Sequence, residues 1–166
     1  MPGFELWSDA ERKHVNDVLE TGILMRYGFD GPRKGVWKAK ELEQEICNSF
    51  GSKHAQLVSS GTAALTTALS ALGIGYGDEV IMPAFTFVAS FEAVISVGAV
   101  PVMVDVDDTL TLDPAAVKAA ITPKTKCIMP VHMCGSMADM DALQAICKEH
   151  KLLLLEDACQ AIGGTY

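Results

Sequence analysis

From residue 54 onward, short apolar runs alternate with stretches whose apolar residues recur every three or four positions. The runs read as strands: 54–60, 79–82, 100–105, 126–132 and 152–155. Between them lie helical patterns over 62–72, 86–97, 114–120 and 138–150, the third capped by Asp113 and opened by Pro114. Runs apolar on both faces belong to strands covered above and below, and strands spaced by helices pair in parallel. The predicted fold class is α/β, a mainly parallel sheet sandwiched by helices.

The first 50 residues differ. A helix is expected over 9–20, capped by Ser8 or Asp9, and a second over 40–50. The segment between them, 21–38, is rich in Gly, aromatic and basic residues and has no period, so it reads as a loop of the kind that often carries function. The expected division is residues 1–50, N-terminal helices and loop, and residues 51–166, a sheet domain.

Composition narrows the function classes. With 166 residues, 49% hydrophobic and 20% charged, the chain can bury one core and has no disordered signature. A net charge of −8 argues against a nucleic-acid partner, which demands a basic face. The five cysteines (Cys47, Cys127, Cys134, Cys147 and Cys159) are odd in number and show no C-x-x-C spacing, so reduced thiols and no metal site are expected. No leader-like start is seen, and no apolar stretch nears the ~20 residues of a membrane span. A soluble cytoplasmic protein is the expectation.

Three motifs fall at strand ends. Ser59-Ser60-Gly61-Thr62-Ala63-Ala64-Leu65 sits where a strand gives way to a helix, so the N–H groups of Gly61, Thr62 and Ala63 can cradle a phosphate at the positive end of the helix dipole. The alternative is that Ser60 merely caps the helix. Asp157 follows the apolar run 152–155, at the sheet edge where doubly wound proteins bind ligands. A carboxylate there needs a cationic partner, such as a protonated pyridine nitrogen, unless it caps a helix or binds a metal. Glu156, its neighbour, points the other way and reads as structural. Phe85 and Phe87 follow another strand and serve either as a platform for a planar ligand or as core.

These motifs occur with Gly77-Asp78-Glu79-Val80-Ile81, Gly98-Ala99-Val100-Pro101-Val102 and Val131-His132-Met133-Cys134-Gly135, in order. Over residues 42–166 the sequence resembles the DegT/DnrJ/StrS-type sugar aminotransferases, of the aspartate-aminotransferase fold (fold type I). The resemblance implies pyridoxal 5'-phosphate as cofactor. Thr62 and Ala63, beside Gly61, match the amides that hold its phosphate, and Phe87 the ring that stacks on it. Asp157 matches the partner of the pyridine nitrogen, and Gln160 the position near the 3-oxygen. A keto or aldehyde sugar as acceptor, glutamate as donor and a homodimer or higher self-association are implied as well.

A finer likeness rests on Arg26-Tyr27-Gly28-Phe29-Asp30, Trp37-Lys38 and His132-Met133-Cys134-Gly135-Ser136-Met137. These look like the branch that aminates C8 of 3-deoxy-octulosonate for lipopolysaccharide. Arg26, in a basic loop, would suit the sugar carboxylate, and His132 either touches substrate or hydrogen-bonds within the core.

One departure stands out. The family's Schiff-base lysine lies beyond the motif aspartate, yet only nine residues follow Asp157 and none is lysine. The chain therefore reads as a partial large domain, lacking its C-terminal part and the small domain, with no catalytic residue of its own and no turnover expected. Two other readings stay open: a dehydratase of the same family, with His in place of Lys, and a non-catalytic ligand module of flavodoxin-like architecture.

Overall fold

The computed structural model describes residues 3–166, whose contacts divide into two compact units meeting in sequence at Leu57 and Val58. In the first unit, α1 (Asp9–Thr21) starts at a capping box: the Ser8 hydroxyl accepts the Ala10 N–H, and the Glu11 carboxylate accepts the Ser8 N–H at 2.7 Å. It ends at Gly22, whose φ of 66° is the left-handed turn that glycine adopts without strain. One further turn, α2 (Asp30–Arg33), interrupts the segment expected as loop, and α3 (Lys38–Phe50) follows.

The strand expected over 54–60 does not form. Its backbone is engaged by side chains instead: the Leu57 N–H donates to the Glu43 carboxylate at 2.8 Å, tying the segment to α3. That tie also carries the first unit past residue 50.

The second unit holds the sheet. In chain order it runs α4 (Gly61–Ala71), β1 (Glu79–Pro83), α5 (Val88–Ser96), β2 (Val100–Val104), α6 (Pro114–Ala120), β3 (Thr125–Ile128), α7 (Met140–His150) and β4 (Leu153–Leu154). All four strands pair in parallel, in the order β2-β1-β3-β4. Side chains alternate across the sheet. Val80 and Met82 join Leu65, Leu69, Val94 and Met129 on one face, while Ile81 joins Leu112, Val117, Ile128, Leu143 and Ile146 on the other. Val80, Ile81 and Met82 are completely buried, each contributing about 1.5–3 kcal/mol of transfer free energy. That two-sided burial is why these strands read as unbroken apolar runs.

The chain leaves β1 for β2 on one side, then crosses back to place β3 on the other. Such a reversal opens a crevice at the carboxyl ends of the strands.

Candidate functional site

A cavity of about 240 Å³ lies at those carboxyl ends, and residues 61–62, 86–90 and 157–160 supply most of its lining. Each segment arrives there for a local reason.

Residues 61–62 open α4. Ser60 is extended, and its side chain caps the helix by accepting the Ala63 N–H at 3.1 Å. The capping reading of Ser60 therefore holds, and the expectation that the Ala63 amide is free does not; Ala63 is also absent from the lining. Gly61 and Thr62 occupy the first two helical positions, where no preceding turn offers a carbonyl, so their amides are the donors available at the dipole's positive end. Around Gly61 a Cβ would meet nothing within 4 Å, which leaves room for a ligand to come close.

Phe87 is the N-cap residue of α5 and its side chain lines the cavity, 68% exposed. Phe85 is 43% exposed. Neither is a core residue.

Asp157 is clamped by its backbone to the extension of β3, donating to the Pro130 carbonyl at 2.9 Å and accepting from the His132 N–H at 3.1 Å. Its Oδ2 accepts the Ser90 hydroxyl at 2.8 Å and its Oδ1 the Cys159 N–H at 3.3 Å. Among the described residues no lysine, arginine or histidine pairs with it, and no cluster suited to a metal is found. A half-buried carboxylate held by neutral donors is an acceptor for a cationic ligand group. Gln160 lies on the same rim; its Oε1 accepts the Cys134 N–H at 2.7 Å, so the side-chain NH₂ keeps its donors.

Neither of the two residues expected to meet substrate is among the residues lining this cavity. His132 is completely buried and both ring nitrogens are engaged: Nδ1 accepts the Ala138 N–H at 3.2 Å, which leaves Nε2 to donate to Glu156 at 3.0 Å. It has the core role, and Glu156 is its partner. Arg26 belongs to the first unit, where Nη2 pairs with Glu43 at 2.5 Å and contacts Gln56, while Nε and Nη1 are buried without an acceptor. The Glu43 hydrogen bond raises the Arg26 pKa above its ordinary value. That unit also has an open hollow of about 590 Å³ beside Arg33, Trp37 and Lys40. It is larger, but Asp30, Glu41 and Glu45 share its walls, and all its lining residues belong to the first unit.

Sequence reasoning missed Ser90 and Thr86. Ser90 is 1% exposed, and its Oγ lies 2.9 Å from Thr86 Oγ1. The signal was a hydroxyl four residues from another, on the buried side of a largely apolar helix.

Residues 8–166 match the model of the DegT/DnrJ/EryC1/StrS aminotransferase family. The chain is 46% identical over 166 residues to 3-amino-5-hydroxybenzoate synthase of Amycolatopsis mediterranei (strain S699), covering 99% of this chain and 41% of that protein. It is also similar to the crystal structure of a 3-amino-5-hydroxybenzoic acid synthase (TM-score 0.87, 47% identity, 96% of this chain and 40% of the other). A third similarity is to NtdA from Bacillus subtilis with bound cofactor PMP (TM-score 0.84, 37% identity, 96% and 35%). The chain thus spans about two fifths of the length of the relatives it matches.

Proposed function

Because this chain belongs to the DegT/DnrJ/EryC1/StrS aminotransferase family, we propose that it forms the cofactor-binding part of a pyridoxal-phosphate-dependent enzyme that transfers an amino group to a small keto or aldehyde sugar. The observation that carries the reading is the convergence of the Gly61 and Thr62 amides, the Phe87 ring and the Asp157 carboxylate on one cavity.

The donor set suits pyridoxal phosphate. The two amides would hold the phosphate at the start of α4, and Phe87 would cover a face of the ring. Gln160, with its NH₂ still available, would donate to the 3-oxygen. Asp157 would hold a proton on the pyridine nitrogen. The cofactor supplies an electron sink, which is what makes amino transfer feasible.

Glutamate is the proposed donor, by family likeness. For the acceptor, a neutral keto sugar is preferred to a sugar acid such as the octulosonate, because Arg26 is paired with Glu43 and its remaining Nε and Nη1 are buried. Self-association fits the exposed Val100 and Met103 of edge strand β2. No helix among the described residues is long and apolar enough to cross a membrane.

The test is difference absorbance on the chain with pyridoxal phosphate and, separately, flavin mononucleotide. Pyridoxal phosphate should bind and flavin should not. Asp157→Ala should weaken binding at least tenfold, the order of one lost charge-assisted bond, while the fold is kept. Preference for flavin, or indifference to Asp157→Ala, would sink the assignment.

A further inference from the structure

Ser90 is a costly residue for its place. It stands on the buried side of α5, where an unbonded hydroxyl loses its hydration and gains nothing. A helical serine ordinarily solves this by bonding back to the carbonyl four residues earlier, as Ser96 does in the same helix with Glu92 at 2.6 Å. Ser90 does not. Its hydroxyl reaches Asp157 Oδ2, 67 residues away in sequence, at 2.8 Å.

The direction of the chain of bonds follows from chemistry. An ionised carboxylate only accepts, so the single Ser90 proton points at Asp157. The Ser90 oxygen is then left as acceptor in its 2.9 Å contact with Thr86, and Thr86 must donate. The order is Thr86 to Ser90 to Asp157. Ser90 fixes Oδ2 while the Cys159 N–H fixes Oδ1, so rotation of the carboxylate about its last torsion is restrained from both sides. Ser90 also lies on the first turn of α5, three residues after Phe87, and its N–H donates to the Phe87 carbonyl at 3.1 Å. One helical turn therefore sets both the aromatic ring and the carboxylate.

We propose that Ser90, oriented by Thr86, is a positioning residue that aims the Asp157 carboxylate at the ring nitrogen of the bound cofactor. This rests on the reading of the cavity as a pyridoxal phosphate site. The balance is simple: no bond is made or broken, and the relay leaves Asp157 ionised with lone pairs free for the ring N–H.

The experiment titrates pyridoxamine 5'-phosphate, which binds without a covalent link, into wild type, Ser90→Ala and Ser90→Thr, read by ligand fluorescence. A parallel series uses the 1-deaza analogue, with carbon in place of the ring nitrogen. Wild type should prefer the natural ligand. Ser90→Ala should bind it about tenfold more weakly, the order of one lost hydrogen bond to a charged group, yet bind the deaza analogue unchanged; Ser90→Thr should restore the preference. Equal losses for both ligands would mean that Ser90 is merely structural, and no loss for either would also overturn the proposal. Failure of wild type to bind either ligand, or to distinguish them, would instead overturn the cofactor reading and this inference with it. Should Ser90→Ala not fold, Thr86→Val removes only the donor to Ser90 and must show the same ligand-selective loss.

Discussion

Glu43 takes two donors on one oxygen, the Arg26 guanidinium and the Leu57 N–H. The Arg26 hydrogen bond first, and the Leu57 amide second, hold its carboxyl below the usual carboxylate range. A carboxylate with a depressed folded pKa binds fewer protons folded than unfolded. Its stabilisation is therefore complete above the ordinary glutamate value of about 4.3 and is lost as pH falls through the lowered folded value. Glu43→Gln should destabilise the first unit at neutral pH, with the gap to wild type closing as the solution is acidified below about pH 4. Both tryptophans, Trp7 and Trp37, lie in that unit, so urea unfolding followed by their fluorescence isolates it. A gap that widened in acid would show that the pair is not what holds residues 51–57 to α3.

At the scale of elements, α4 puts capping and ligand binding on neighbouring atoms. Ser60→Ala should cost about 1 kcal/mol of stability, as lost N-caps do, and weaken phosphate binding because the first turn frays. Ser60→Asp should keep the cap but set a negative charge beside the Gly61 and Thr62 amides, so stability survives while affinity for pyridoxal phosphate falls. Circular dichroism with urea and a ligand titration separate the two, and affinity unchanged from wild type in both variants would mean that the helix start does not meet the phosphate. The elements of the second unit were legible because burial on both faces leaves a plain trace: 79–82 and the helix 114–120 can be read directly. The segment 54–60 was not, since His54-Ala55-Gln56-Leu57-Val58 has the composition of a strand and only the distant Glu43 and Arg26 decide where it bonds. Likewise Gly61, Phe87 and Asp157 stand at element ends, where function announces itself, whereas Ser90 hides inside a helix and gains meaning only from a partner 67 residues away. His132 shows the converse, since a histidine at a strand end looks functional until the partners of its two buried ring nitrogens are seen.

For the molecule as a whole, the parallel sheet decides how the site comes into being. Gly61, Phe87 and Asp157 are spaced by 26 and 70 residues, and they meet only when β1, β3 and the crossover helices have docked. No local stretch holds even a weakened version of the cavity, so the unfolded chain has nothing with which to compete for the ligand. Folding and binding are then one linked equilibrium. A ligand that touches all three segments stabilises the second unit by about 2.7 kcal/mol at a hundred times its dissociation constant. Pyridoxamine 5'-phosphate should raise that unit's thermal midpoint by several degrees in proportion to the logarithm of its concentration. A midpoint indifferent to the ligand would mean that the three segments do not act together. Cofactor supply, on this view, adds to the stability of the second unit, and the order of strands in a sheet couples that unit's folding to the concentration of a small molecule.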